Sequence, residues 1–133
     1  EEEDGPAPRA QTTIQRVIRN TAVGSRVKGL HHYTCQICGT QIKTRDGVYA
    51  EAAHIRPLGG SHKGPDVTSN ILCLCPNCHV EFDRLAIYVE ADNSVRSTIT
   101  GERIDDLRTT GNHAINITHF EYHKGLCRLD EDQ

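Results

Sequence analysis

The stretch EAAHIRPLGGSHKGPDVTSNILCLCPNCHVEFD, residues 51–83, decides how this chain is read. It sets one histidine, His54, after a run of small residues. An asparagine, Asn70, follows at a distance, and a second histidine, His79, sits inside a Cys-Pro-Asn-Cys-His turn. VYAEAAHI, residues 48–55, has strand composition, residues 56–69 make a polar loop rich in glycine and proline, and ILCLC, residues 71–75, is a second short strand. Pro76 stands where a helix would begin, because proline lacks an N–H that the first helical turn leaves unbonded anyway. NCHVEFDRLAI, residues 77–87, continues as that helix. The predicted order is strand, loop, strand, helix.

Cysteine spacing supplies the second constraint. Of Cys35, Cys38, Cys73, Cys75, Cys78 and Cys127, four fall in two C-x-x-C knuckles, Cys35-Gln-Ile-Cys38 and Cys75-Pro-Asn-Cys78. Such pairs let two thiolates each converge on one tetrahedral zinc and make an awkward disulfide framework. The alternative is a set of fortuitously buried thiols. Gly39 closes the first knuckle as a tight turn whose backbone amides can point at sulfur. Cys73 shares a strand face with Cys75 but has no knuckle partner, and Cys127 reads as a small hydrophobe. A structural zinc contributes about 10–16 kcal/mol of apparent binding free energy in small zinc peptides. The chain needs such a staple: it has 133 residues, no Met, no Trp, 5% aromatics and 11 Gly, so burial alone leaves it marginal.

The formal charge of −3 conceals an asymmetry. Seven of the 18 acidic residues lie in the two termini, Glu1 to Asp4 and Asp130 to Asp132, and without them fifteen basic residues face eleven acidic ones. Between residues 9 and 63 the balance is nine bases to two acids, Asp46 and Glu51. That half suits a phosphate backbone, with an ordinary solvated surface as the plain alternative. No secretory signal or membrane-length apolar run is visible, which favours a reducing cytoplasm.

Residues 1–8 read as a disordered acidic lead or linker, residues 9–129 as one domain and residues 130–133 as an acidic tail. Residues 10–30 carry apolar side chains at helical spacing and predict an amphipathic helix, broken near Gly24. One or two short strands are expected within residues 86–100, and a terminal helix over residues 118–126. The absence of an initial Met suggests a fragment of something longer.

The chemistry collects on few residues. His79 and Asp83 stand four apart, one above the other on a helix face, where an imidazole and a carboxylate can reach one metal ion. An imidazole facing such a metal suits phosphodiester hydrolysis, with His54 taking a proton from water. Asn70 can fix the loop or a histidine tautomer through its amide.

The order His54, Asn70, His79, with paired knuckles and a ββα core, resembles the HNH or ββα-metal nucleases. EAAHIRPLGGSHKGPDVTSNILCLCPNCHVEFD is especially similar to the nuclease domains of McrA-like, modification-dependent bacterial restriction enzymes, which often follow a DNA-reader domain. The resemblance covers residues 33–90 closely and the flanking helices loosely. It implies an α+β fold, a zinc-stapled ββα-metal core with flanking N- and C-terminal helices. It implies a metal-dependent endonuclease acting on double-stranded DNA, with His54 as general base, Asn70 as orienting residue and His79 as ligand of a catalytic Mg, Mn or similar ion. A reader domain elsewhere in the protein, a possible homodimer and a bacterial cytoplasmic setting complete the expectation. The chain departs from the pattern at Ala53, where many relatives hold a metal-binding Asp or His. Glu51, on the same strand face, is the candidate substitute, beside Asp83; a solvent-facing Glu51 is the alternative.

DNA-backbone contacts are expected from Arg16, Arg19, Arg26, Arg56, His62 and Lys63. His31, His32, His113, His119 and His123 read as surface or packing residues. A catalytically silent zinc module that binds DNA or protein fits the knuckles and basic half equally well, but would need none of His54, Asn70 and His79. RNA is a weaker option, because few aromatics are available to stack on unpaired bases.

Overall fold

The computed structural model describes residues 21–128 and Gly5. Helix α1 (Ala22–Leu30) begins at Thr21, whose hydroxyl accepts from the Gly24 backbone N–H at 3.1 Å. That cap explains why Gly24 does not break the helix: it occupies the first turn and is buried there. The rest of the expected segment, residues 10–20 with Arg16 and Arg19, lies outside the described residues, as do the acidic ends apart from Gly5.

The predicted strand over residues 48–55 divides at Ala50. Its first part, β2 (Gly47–Tyr49), pairs antiparallel with β1 (Ile42–Thr44), a strand whose three residues carry no periodic signal. Its second part, β3 (Glu51–His54), pairs antiparallel with β4 (Ile71–Leu74), Glu51 opposite Leu74 and His54 opposite Ile71. Helix α2 (Pro76–Asp83) follows at once, with Pro76 at its start as the sequence predicts. A three-stranded sheet, β5 (Ile87–Val89), β6 (Ser94–Ser97) and β7 (Arg103–Asp106), comes next in that spatial order, and α3 (Ile117–Cys127) closes the chain. The Asn116 side chain caps α3 by accepting from Thr118 N–H at 3.0 Å.

The β3–β4 ribbon is covered on both faces. Ala53, Leu72 and Leu74 join Phe82 of α2, Val89, Val95 and Phe120 in the larger core. Ala52, Ile71 and Cys73 pack with Val27 of α1 in the smaller one. Because both faces are dry, the near-continuous small and branched apolar run of the two strands is required, and any polar side chain in the ribbon must find a partner. The fold is α+β, a ββα unit stapled by cysteines and flanked by two helices. Among the described residues no helix is long and apolar enough to cross a membrane.

Candidate active site

The two knuckles meet. One sulfur from each of Cys35, Cys38, Cys75 and Cys78 lies within 4.8 Å of the others, and Cys38 Sγ stands 3.6 Å from Cys75 Sγ. Tetrahedral ligands about 2.3 Å from a zinc would stand ~3.8 Å apart, so the spacing fits a four-thiolate ion site. Each knuckle turns its own amide onto sulfur: Cys38 N–H reaches Cys35 Sγ and Cys78 N–H reaches Cys75 Sγ, both at 3.5 Å. Gly39 takes a positive φ of 78° to close the first turn, and an added Cβ would lie 2.9 Å from the Arg108 guanidinium.

Contacts among these thiols pull their proton affinities apart. A hydrogen bond from Cys78 draws the Cys35 thiol down to about 4, and the same bond drives Cys78 upward. Burial pushes Cys75 up to about 11. A divalent ion among the four sulfurs would favour their thiolate forms. Cys73, buried apart from the cluster, is pushed up to about 12 by burial and stays a thiol. Cys127, the last residue of α3, is buried with its sulfur 3.8 Å from His123 Nδ1.

This cluster fixes the start of α2, since Cys75 is the residue that caps it. The helix then carries His79 inward. His79 is 1% exposed, and its two ring nitrogens have separate partners. Nδ1 lies 2.8 Å from Glu51 Oε1, and Nε2 lies 3.1 Å from Asp83 Oδ2. Glu51 is itself 1% exposed and accepts a second bond from the Tyr49 hydroxyl at 2.7 Å. The solvent-facing alternative for Glu51 is thus excluded: alternation along β3 turns it toward α2 with Ala53. Burial is the largest influence on the His79 imidazolium and disfavours it, yet the carboxylates of Asp83 and Glu51 together raise its pKa above the ordinary value. Negative charge thus converges on the ring from both sides.

His54, at the end of β3, borders the same cleft, a cavity of about 420 Å³ lined also by His62, His79, Asp83, Leu85 and Leu126. Its Nε2 lies 2.8 Å from Asp66 Oδ1. Asn70 does not enter the cleft. It is completely buried, accepts from Arg56 N–H at 2.8 Å, and donates to the carbonyls of Arg56 at 3.0 Å and Pro65 at 2.8 Å. Its role in this fold is to clip the two ends of the loop between the strands.

The structure brings His54, His79 and Asp83 to one cleft, puts Glu51 behind His79 and sets Asn70 beneath the loop. Arg56 lays its guanidinium 4.3 Å from the Tyr122 ring centroid and donates from Nε to the His62 carbonyl at 2.6 Å. His62 Nδ1 and the Tyr122 hydroxyl are 2.6 Å apart. Both loop residues are therefore tied to α3 at the rim of the cleft, while Lys63 and Arg26 are exposed. Among the histidines read as surface or packing residues, His32 is exposed, His31 Nε2 stands 2.7 Å from His113 Nδ1, and His113 Nε2 donates to the Thr68 carbonyl at 2.8 Å. His123 stacks on Phe82 with centroids 3.7 Å apart and donates to the Phe82 carbonyl at 2.8 Å. His119 is buried, and burial followed by the nearby Arg56 charge keeps its pKa low.

Asp66 and Tyr122 are the site residues that the sequence reading passed over. Asp66 stood in a loop whose path no local pattern discloses, and Tyr122 lies far along the chain on α3.

The family model for HNH endonucleases matches residues 35–90, which hold both knuckles, the ribbon and α2. This segment is an HNH endonuclease domain. A solved structure described as a modification-dependent TagI restriction endonuclease superposes with a TM-score of 0.79 at 47% sequence identity. The match covers 81% of this chain and 38% of that one. No curated protein matches the chain. These likenesses support reading the domain as a nuclease cleavage module, in line with the expected family, fold class and enzymatic class.

Proposed function

We propose that this HNH domain cleaves double-stranded DNA, with His54 as general base and His79 and Asp83 as protein ligands of a catalytic divalent ion, Mg, Mn or similar. The observation that carries the proposal is the 3.1 Å separation of His79 Nε2 and Asp83 Oδ2 at the wall of the cleft that His54 borders. Neighbouring ligands of an octahedral ion about 2.1 Å from each would stand ~3 Å apart, so the pair fits such an ion without rearrangement. Two protein donors suffice where water and substrate phosphate fill the other positions. Such an ion, when bound, would stabilise the charge that develops on the phosphate and on the leaving oxygen. Glu51 holds the His79 ring from behind by accepting its Nδ1 proton, which orients Nε2 toward the cleft. His54 takes the proton of the attacking water as the new P–O bond forms and the bond to the leaving sugar oxygen breaks. The four-cysteine site, in this proposal, holds a structural zinc and no substrate.

The modification dependence of the TagI restriction endonuclease supports the wider reading that the full protein is a modification-dependent restriction enzyme of the bacterial cytoplasm. Selectivity would then come from a separate reader domain, and duplex cleavage from two such domains acting together. Exposed Arg26 and Lys63, with Arg56 and His62 at the cleft rim, would meet phosphates. Incubation of the chain with supercoiled plasmid and added Mg or Mn tests the proposal. The parent should nick or linearise the plasmid, His54→Ala should lose about 10²–10⁴-fold in rate with its folding intact, and His79→Ala should lose at least as much. Cleavage by His54→Ala at the parent rate would refute the assignment of the base.

A further inference from the structure

The loop between β3 and β4 is built more tightly than its glycines suggest. Gly64 donates from its backbone N–H to the Pro57 carbonyl at 2.7 Å, and a Cβ added there would lie 2.1 Å from the Arg56 carbonyl oxygen. The two limbs of the loop therefore touch at a neck that admits no side chain. Asn70 fastens the same neck from below through the Arg56 and Pro65 carbonyls. The next residue after Pro65 is Asp66, so its backbone leaves a fixed point. From there its carboxylate reaches His54 Nε2 at 2.8 Å, and the His54 side chain is only 10% exposed against 39% for Asp66.

A carboxylate accepts hydrogen bonds and donates none at neutral pH, so this contact requires the proton of neutral His54 to be on Nε2. The remaining lone pair is then on Nδ1. We propose that Asp66 is the positioning residue of the reaction: it holds the His54 ring in one orientation and one tautomer, leaving Nδ1 as the atom that accepts the water proton. Asn70 then acts on the base through Pro65 and Asp66 rather than by touching it. An isolated surface pair would do little of this, because an exposed carboxylate on a mobile stem is easily exchanged for water. Here the stem is clipped and the imidazole is mostly shielded, its side chain 10% exposed.

The inference rests on the reading of His54 as the base, and its test separates the two. Histidine labelled with ¹⁵N in the full chain, with His54→Ala used to assign the signal, reports the His54 tautomer directly. The parent should show His54 protonated on Nε2. Asp66→Asn should shift it toward Nδ1–H, because the amide NH₂ can donate to Nε2, and kcat on supercoiled plasmid with Mg should fall at least about tenfold with KM nearly constant. In the Ser-His-Asp triad the corresponding change, which leaves geometry intact, costs about 10⁴ in kcat. Asp66→Glu should recover part of the loss. Manganese affinity, measured by calorimetry, should be the same in parent and Asp66→Asn. An unchanged tautomer, a kcat within about twofold of the parent, or a weakened manganese site would each overturn the inference, the last by making Asp66 a metal ligand. Plasmid cleavage by His54→Ala would instead remove the base reading, while the tautomer measurement would still show whether Asp66 holds the ring.

Discussion

Asn70→Ala separates the clipping role of this residue from any direct part in chemistry. The wild-type side chain makes three hydrogen bonds of 2.8–3.0 Å inside a region from which water is excluded. Each such bond contributes about 0.5–1.5 kcal/mol net, and truncation also strands the Arg56 N–H and two carbonyls, so a loss of about 3 kcal/mol is expected. For a chain of this size that corresponds to a fall in Tm of roughly 10 °C. Asn70→Asp should be worse despite its identical shape. It can still accept from Arg56 N–H, but it sets a buried carboxylate against the Arg56 and Pro65 carbonyls, with no proton to donate. Urea unfolding gives the stability, and limited proteolysis near Gly59 and Gly60 reports the freedom of the loop. A stability within about 0.5 kcal/mol of the parent, with unchanged loop protection in Asn70→Ala, would refute the clip. So would an Asn70→Asp variant as stable as the parent.

Cys35→Ser should remove about one equivalent of zinc after dialysis and unfold the domain, whereas Cys73→Ser should retain the metal; elemental analysis and circular dichroism decide this. Glu51→Gln keeps the shape behind His79 but weakens its hold on the Nδ1 proton, and manganese affinity by calorimetry should fall about 10–100-fold. Burial lowers the pKa of His123 to about 4, so on acidification an unfolded histidine binds its proton near pH 6.5 while the folded one does not. Stability should therefore be full above pH 6.5 and decline toward pH 4, by about 2 kcal/mol at pH 5 from this residue. His123→Gln, which can still donate to the Phe82 carbonyl, should lessen that decline in urea titrations at the two pH values.

What could be read from the sequence was local. A C-x-x-C pair determines its own turn, Pro76 marks a helix start, and His79 and Asp83 share a face by helical geometry alone; each needs fewer than six residues of context. Thr21 was a legible cap that the weight given to Gly24 obscured, because glycine weakens helices in general but is harmless in the first turn under a capping hydroxyl. The strands β1 and β7 lack alternation, since their side chains are mostly exposed and owe their pairing to neighbours. Glu51 could be placed on the Ala53 face but not assigned its partner, because whether that face met water or α2 depended on the whole core. Asp66 is the extreme case. Its reach to His54 is set by contacts among Arg56, Gly64 and Asn70, none of which produces a periodic pattern.

The two halves of the proposed catalytic site are held by different fasteners. His79 depends on the cysteine cluster, since Cys75 both donates a sulfur and caps the helix that carries the ring. His54 depends on the ribbon for its backbone and on the clipped loop for its partner. The β3–β4 ladder, four residue pairs long and buried on both faces, links them. A nuclease needs its base and its metal ligands in a fixed relation to one phosphate, and a 1 Å error is costly. A ribbon this short holds that relation only if neither end can pivot. The knuckles prevent it at the Cys75 end, and Asn70 prevents it at the His54 end. Removing either fastener should therefore cost catalysis, but by different routes: loss of the knuckle removes the fold with the helix, while loss of the clip leaves the metal half standing with a base that no longer points at it.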